Sequence, residues 1–220
     1  MGGFVVTCVD GGYRKGTVEA VKILELALYS LEATNTPEEA PEVEETFAQQ
    51  LQRERKEIKK SSFMLLGGNR GSDVLFIRNN SKYSELEIYN RLIARTERVQ
   101  FIRRVIPVQS IFTLSLANLE ERTKELAKCI EPEQTFRIVL KKRLCSHVST
   151  EAIIATVGKE LPFQVSLTNP DRIVMVEIAR DLCAIGLAKP CPGNFNLTRD
   201  AVQQDIKAAL SSPETGVDGC

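Results

Sequence analysis

Residues 135–189, TFRIVLKKRLCSHVSTEAIIATVGKELPFQVSLTNPDRIVMVEIARDLCAIGLAK, decide how the chain folds. A basic strand from Thr135 to Arg143 runs into a turn, LCSHV, and then into a helix from Ser149 to about Lys159 that turns Ile153, Ile154 and Val157 inward. Strands follow near Gln164, Val174 and Ala184. Along the first strand, alternation sends Phe136, Ile138 and Leu140 to one face and Arg137, Val139 and Lys141 to the other, leaving Lys142 and Arg143 at its exposed end. The free N–H groups of the helix start near Ser149 favour an anion at that same end. A helix beginning at about Ser115 precedes all this, carries Leu119, Leu126 and Ile130 on one side, and ends before Pro132. Helix, strand, helix and three strands make an α/β unit whose sheet is covered on one face.

Upstream, Gly3 to Cys8 reads as a strand, DGGYRKG as a turn, and Thr17 to Leu31 as a helix capped by Thr17, with Val21, Leu24, Leu28 and Leu31 on one face. Glutamates and Pro37 and Pro41 mark an acidic insertion at about 32–60. SSFMLLGG and DVLFIR read as strands joined by a tight turn around Asn69, Arg70 and Gly71. A helix from about Ser84 to Glu97 opens on the capping box Ser84-x-x-Glu87 and buries Leu86, Tyr89 and Ile93. The strand RVQFIRRVIPV closes the unit. With the insertion set aside, the order is the split βαβ, or ferredoxin-like, arrangement. The expected class is therefore α+β: a ferredoxin-like domain over residues 1–108, an α/β domain over 109–190, and a C-terminal segment, 191–220. That segment is read as a helix capped at Thr198 followed by a disordered tail.

A chain of 220 residues holds one large or two small domains, and 43% apolar with 26% charged residues is the composition of a soluble globular protein. MGGFVVTCVDGG lacks the pattern of a secretory signal, and IVMVEIA is too short to span a bilayer, so the chain is read as intracellular, in nucleus, nucleolus or cytoplasm. The six cysteines are scattered without a CxxC pair, and His147 is the single histidine, so no metal site is expected. Lysine plus arginine and aspartate plus glutamate balance at 29 each, but the charge is segregated. Between Arg91 and His147 there are 12 basic and 6 acidic residues, a net +6 that leaves −6 elsewhere. A local basic face of that kind steers a polyanion even when the total is zero.

Motifs for catalysis are scarce. LGGNRGSD has no Gly-Lys-Ser/Thr ending and no following helix, which makes it a hairpin turn rather than a phosphate loop. Asn169-Pro170-Asp171 is similar to the target-base loop of amine methyltransferases, yet no residues remain to build their cofactor domain, and a turn between strands suits it better. His147 has no evident catalytic partner. Two readings of it stand: a ring that stacks on a base or touches a phosphate, and a group that holds its loop. Arg103 and Arg104 must point to opposite faces of their strand, and Arg104 is assigned to the basic surface.

RRVIP around Arg104, FRIVLKKR followed by SHV, and VSLTNPDRIVMVEI followed by Cys183 together resemble the THUMP proteins that assist tRNA cytidine acetylation in eukaryotes, and GFVVTC and the turn before DVLFIR fit them too. The likeness runs through most of residues 3–189. It implies a THUMP RNA-binding domain at 109–190 and a non-catalytic adaptor. Such an adaptor binds leucine and serine tRNAs and presents a D-arm cytidine to a separate RNA cytidine acetyltransferase, which forms 4-acetylcytidine. Acetyl-CoA and ATP belong to that partner, so no cofactor is expected here. A-form RNA offers shape, phosphates and 2′-hydroxyls rather than base edges. The expected contacts are Arg104, Lys141, Lys142 and Arg143 to phosphates, with Ser146, His147, Thr168 and Asn169 as weaker polar candidates. The competing readings are a fragment of a THUMP methyltransferase or thiolation enzyme, and a protein-interaction module with no RNA role.

Overall fold

A computed structural model describes residues 2–35, 61–68, 73–94, 99–191 and 193–197. The elements run β1 (Gly3–Cys8), α1 (Tyr13–Asn35), β2 (Phe63–Gly68), β3 (Val74–Asn79), α2 (Glu85–Ile93), β4 (Ile102–Val108), β5 (Ser110–Thr113), α3 (Leu116–Ala127), β6 (Phe136–Arg143), α4 (Thr150–Lys159), β7 (Arg172–Ala179) and β8 (Leu182–Ala188).

The first four strands form a sheet in the order β2-β3-β1-β4. Every neighbouring pair in it is antiparallel. Each helical crossover thus skips one position, which is the ferredoxin-like solution expected from the sequence. Phe4, Val5 and Val6 are all fully buried. A strand apolar at consecutive positions is covered on both faces. Phe4 meets Phe63 edge to face at 6.0 Å. The capping box that opens α2 is present: the Ser84 hydroxyl accepts from the Glu87 N–H, and the Glu87 carboxylate accepts from the Ser84 N–H at 2.8 Å.

The second sheet has the order β5-β8-β7-β6, with β6 and β7 parallel and the other pairs antiparallel. Alternation splits its faces. Phe136, Val174, Val176, Ile178, Cys183 and Ile185 join Leu119, Leu126, Ile153 and Val157 of α3 and α4 in one core. Met175, Ala179 and Ala184, on the opposite face, join the core of the first sheet. The helix-free face of the second sheet is thereby partly covered by the N-terminal unit, and β6, at the sheet edge, lies farthest along it from β5.

Several sequence expectations change. The helix read from Thr17 starts at Tyr13, and Thr17 is internal to it, its hydroxyl donating to the Tyr13 carbonyl at 2.8 Å. The glycines of DGGYRKG hide that start, because they suit a turn as well as a helix. The same helix continues to Asn35, into the stretch assigned to the insertion. Leu86 and Ile154, expected inward, are 59% and 44% exposed, while Ile88 and Leu92 are the buried neighbours of Tyr89 and Ile93. The strand near Gln164 is a single parallel bridge between Phe136 and Val165. A separate strand, β5, begins at Ser110 in the second sheet. The expected turn at Asn69–Gly71, most of the insertion, and the helix from Thr198 lie outside the described residues.

Candidate nucleic-acid interface

The basic strand forms as expected, and its alternation decides what each cation meets. Lys142 shares a face with Phe136, Ile138 and Leu140, and its Nζ donates to the Val148 carbonyl at 2.8 Å. One of its three ammonium donors is thus engaged with the loop that leads into α4. Arg137, Val139, Lys141 and Arg143 point the other way, onto the helix-free face.

On that face the organising group is Glu177 of β7, which stands in register with Lys141 and is only 3% exposed. Arg143 donates Nη1–H to its Oε2 at 2.9 Å. From β4 comes Arg104, 8% exposed, whose Nη1 lies 3.8 Å from Oε1 of the same carboxylate. Arg104 Nε donates to the Asn194 carbonyl at 3.0 Å, and Nη2 donates to the Asn194 Oδ1 at 3.3 Å. Asn194 and Phe195 both have positive φ, 51° and 61°. That region is sparsely used by a bulky residue such as Phe, so the turn that offers both oxygens to one guanidinium is held under backbone strain. Leu197 and Phe195 then bond back to Arg103 and Val105.

Three of the eight expected residues therefore converge, but around a carboxylate and not on an open lip. The expectation that Arg104 faces outward with the others is corrected: it lies at the floor of the cluster. Burial lowers its basicity, and Glu177 opposes that shift. Lys141 is also less basic than usual, first through burial, then through the Arg104 charge, with Glu177 opposing and Arg143 adding to the decrease. Arg104, Lys141 and Arg143 against Glu177 give a local net charge of +2.

The other four do not join them. Ser146 and His147 are exposed in the loop after β6, with the Cys145 Sγ 3.7 Å from His147 Nδ1. Thr168 and Asn169 are exposed in the loop before β7. Because β6 and β7 run parallel, these two loops lie at opposite ends of the sheet, roughly 23 Å apart at about 3.3 Å per residue. A single small ligand cannot touch both; an RNA helix can.

Two participants were missed. Glu177 figures in the sequence as the residue that interrupts an apolar run, and its position in phase with Met175 and Ala179 was the available signal. Arg137 was placed on the correct face but left out of the site. Its Nη1 donates to the Leu167 carbonyl at 3.1 Å, while its buried Nε has no partner.

No cluster of three or more His, Cys, Asp or Glu that could hold a metal occurs among the described residues. No helix among them is long and apolar enough to cross a membrane. The Cys8 thiol is pushed up to about 11 by burial, then by the Asp73 and Glu19 carboxylates. Cys183 is raised further, chiefly by burial. Since the thiolate is the nucleophile, both should resist iodoacetamide near neutral pH in the folded protein and react only after unfolding. Peptide mass mapping checks this, and rapid native alkylation of Cys8 would contradict it.

Residues 115–188 match the THUMP domain family. THUMP domain-containing protein 1 of Homo sapiens is 28% identical over 188 residues, which cover 74% of this chain and 50% of the human protein. The chain thus spans about half the length of that relative. The crystal structure of PH1313 from Pyrococcus horikoshii superposes with a TM-score of 0.54 at 16% identity, over 86% of this chain and 55% of the other, which is a likeness of fold. The solution structure of the THUMP domain of THUMP domain-containing protein 1 is 32% identical, covering 36% of this chain and 93% of that domain, with a TM-score of 0.29. From the family match, and with α3 opening and β8 closing the matched stretch, the chain carries a THUMP domain over residues 115–188.

Proposed function

We propose that this protein is a tRNA-binding adaptor that presents its RNA to an RNA cytidine acetyltransferase for 4-acetylcytidine formation in the D arm, with leucine and serine tRNAs as the substrates. The observation that carries the RNA-binding part is the unbalanced positive charge on the helix-free face of a THUMP domain: Arg104, Lys141 and Arg143 against Glu177, with Arg137 farther along the same strand. A surface of this kind binds phosphates through geometry and charge, without a base code. The adaptor part follows from the resemblance to the acetylation-assisting THUMP proteins, while the similarity to the human THUMP domain-containing protein supports the RNA-binding part. In this reading acetyl-CoA and ATP are handled by the partner, and this chain supplies only the grip and orientation of the RNA.

Nucleoside mass spectrometry of tRNA from cells lacking the protein tests the reading. The expected result is loss of 4-acetylcytidine from tRNA, with ribosomal RNA unaffected. A second arm incubates the pure protein with tRNA and S-adenosylmethionine. Modification without a partner protein would overturn the adaptor reading in favour of a methyltransferase.

A further inference from the structure

We propose that Arg104, Lys141 and Arg143 form a pocket for one phosphate group, with Glu177 as the positioning residue that holds the two guanidiniums around it. The inference rests on the RNA-binding reading above and narrows it to a subsite. It draws Arg104 from β4, outside the matched THUMP residues, so the grip on RNA needs the N-terminal unit as well.

The first argument is an unmet donor. Arg104 is 92% buried, and its Nη1 makes no hydrogen bond, although Nε and Nη2 are both satisfied by Asn194. The 3.8 Å approach to Glu177 is an ion pair too long for a hydrogen bond. A buried, unsatisfied charged donor is costly and rare, and a missing ligand is one of its few explanations. The strained Asn194–Phe195 turn fixes this guanidinium by its other two nitrogens and leaves Nη1 facing the cluster.

The second argument is charge. The Lys141 ammonium makes no hydrogen bond or ion pair among the described residues. It stands beside two guanidiniums and shares their single carboxylate. An uncompensated positive cluster of this kind, partly withdrawn from water, lacks an anion. Burial and the neighbouring cations already weaken the hold of Lys141 on its proton. A phosphate group supplies both what is absent: negative charge, and several acceptor oxygens for Nη1, the ammonium and the outer edge of Arg143. Lys141 is half-buried and the Arg143 side chain 28% exposed, so these two form the mouth and Arg104 the floor.

The test uses the full chain. Inorganic phosphate is titrated while the Arg104 Nε–H resonance is followed by NMR, and tRNA is titrated by filter binding across a salt series. Two RNA hairpins, one ending in a 5′-phosphate and one in a 5′-hydroxyl, tell a terminal phosphate from a backbone one. The expected result is a phosphate-dependent shift at Arg104, weakened about tenfold in Lys141→Met, the loss of one charge-assisted contact. The same variant should flatten the log–log salt slope for tRNA by roughly 0.9. Lys141→Met removes a group with no hydrogen bond, so the variant should fold, and its melting curve verifies that. An Arg104 resonance indifferent to phosphate, with tRNA affinity and slope unchanged in Lys141→Met, overturns the pocket. A pocket that takes phosphate in a protein that ignores tRNA would support the site and sink the RNA reading.

Discussion

Glu177→Ala is expected to cost the fold about 3–5 kcal/mol, the usual penalty for removing one partner of a buried ion pair. The carboxylate is 3% exposed and is the shared counter-charge of Arg104 and Arg143. Without it, a 92% buried guanidinium remains in place, tied to Asn194 and surrounded by two further cations with no anion. The result is a buried charge left unpaired, which is far worse than the loss of a contact. For a chain of this size the melting temperature should fall by on the order of 10 °C, read by circular dichroism. The triple variant Arg104→Met/Arg143→Met/Glu177→Met should recover most of the loss, because apolar side chains of similar volume replace the buried ion pairs at little cost. A melting temperature for Glu177→Ala within experimental scatter of wild type would show that water already screens the cluster, and the buried-pair description would fail.

Patterns that repeat within an element were legible in the sequence; pairings between elements were not. The alternation of β6 told which face each of Phe136, Arg137, Ile138 and Lys141 takes. The Ser84–Glu87 box located the start of α2, since both partners lie within one turn. Topology followed from element order, because few arrangements satisfy a strand-helix-strand-strand-helix-strand sequence. Thr17 misled because a threonine can cap a helix or, as here, bond back to the preceding turn, and only the backbone decides which. β5 went unassigned, since the strand reading stopped at Val108 and the four residues Ser110–Thr113 are too short a run to show alternation, although the chain there passes from one sheet to the other. The Arg104–Glu177 pair joins residues 73 positions apart on strands of different sheets, so no local pattern announces it. Basic residues read as a surface from the sequence proved to be sorted: Arg104 to the floor, Lys141 and Arg143 to the mouth, and Lys142 to a backbone carbonyl on the opposite face.

Lys141→Glu should abolish most tRNA binding and leave the fold as stable as wild type or more so. The structure makes this sign unusual. On an open basic surface a reversed charge gains little from cationic neighbours that water already screens, and stability is indifferent. Here the new carboxylate would enter beside Arg104 and Arg143, bring the local charge from +2 to zero, and occupy the place we assign to phosphate. The lost contact and the added repulsion together correspond to at least about 3 kcal/mol, or roughly a hundredfold in affinity at physiological salt. Lys142→Glu is the control: its Nζ is engaged with the Val148 carbonyl away from the cluster, so it should weaken binding only through the general field. The wild-type protein should also show a pH dependence that Lys141→Arg lacks. In the free protein the Lys141 pKa is depressed by burial, Arg104 and Arg143, while a bound phosphate restores it, so the complex holds the proton more tightly than the free protein does. Affinity is then highest below the depressed pKa and declines as pH rises through it, whereas an arginine at this position keeps its charge throughout. Filter binding of tRNA to the wild type and the three variants, repeated as pH is raised, measures all of this. Equal losses in Lys141→Glu and Lys142→Glu would mean that the RNA senses only total charge and that the sorting of the two lysines onto opposite faces has no part in its recognition.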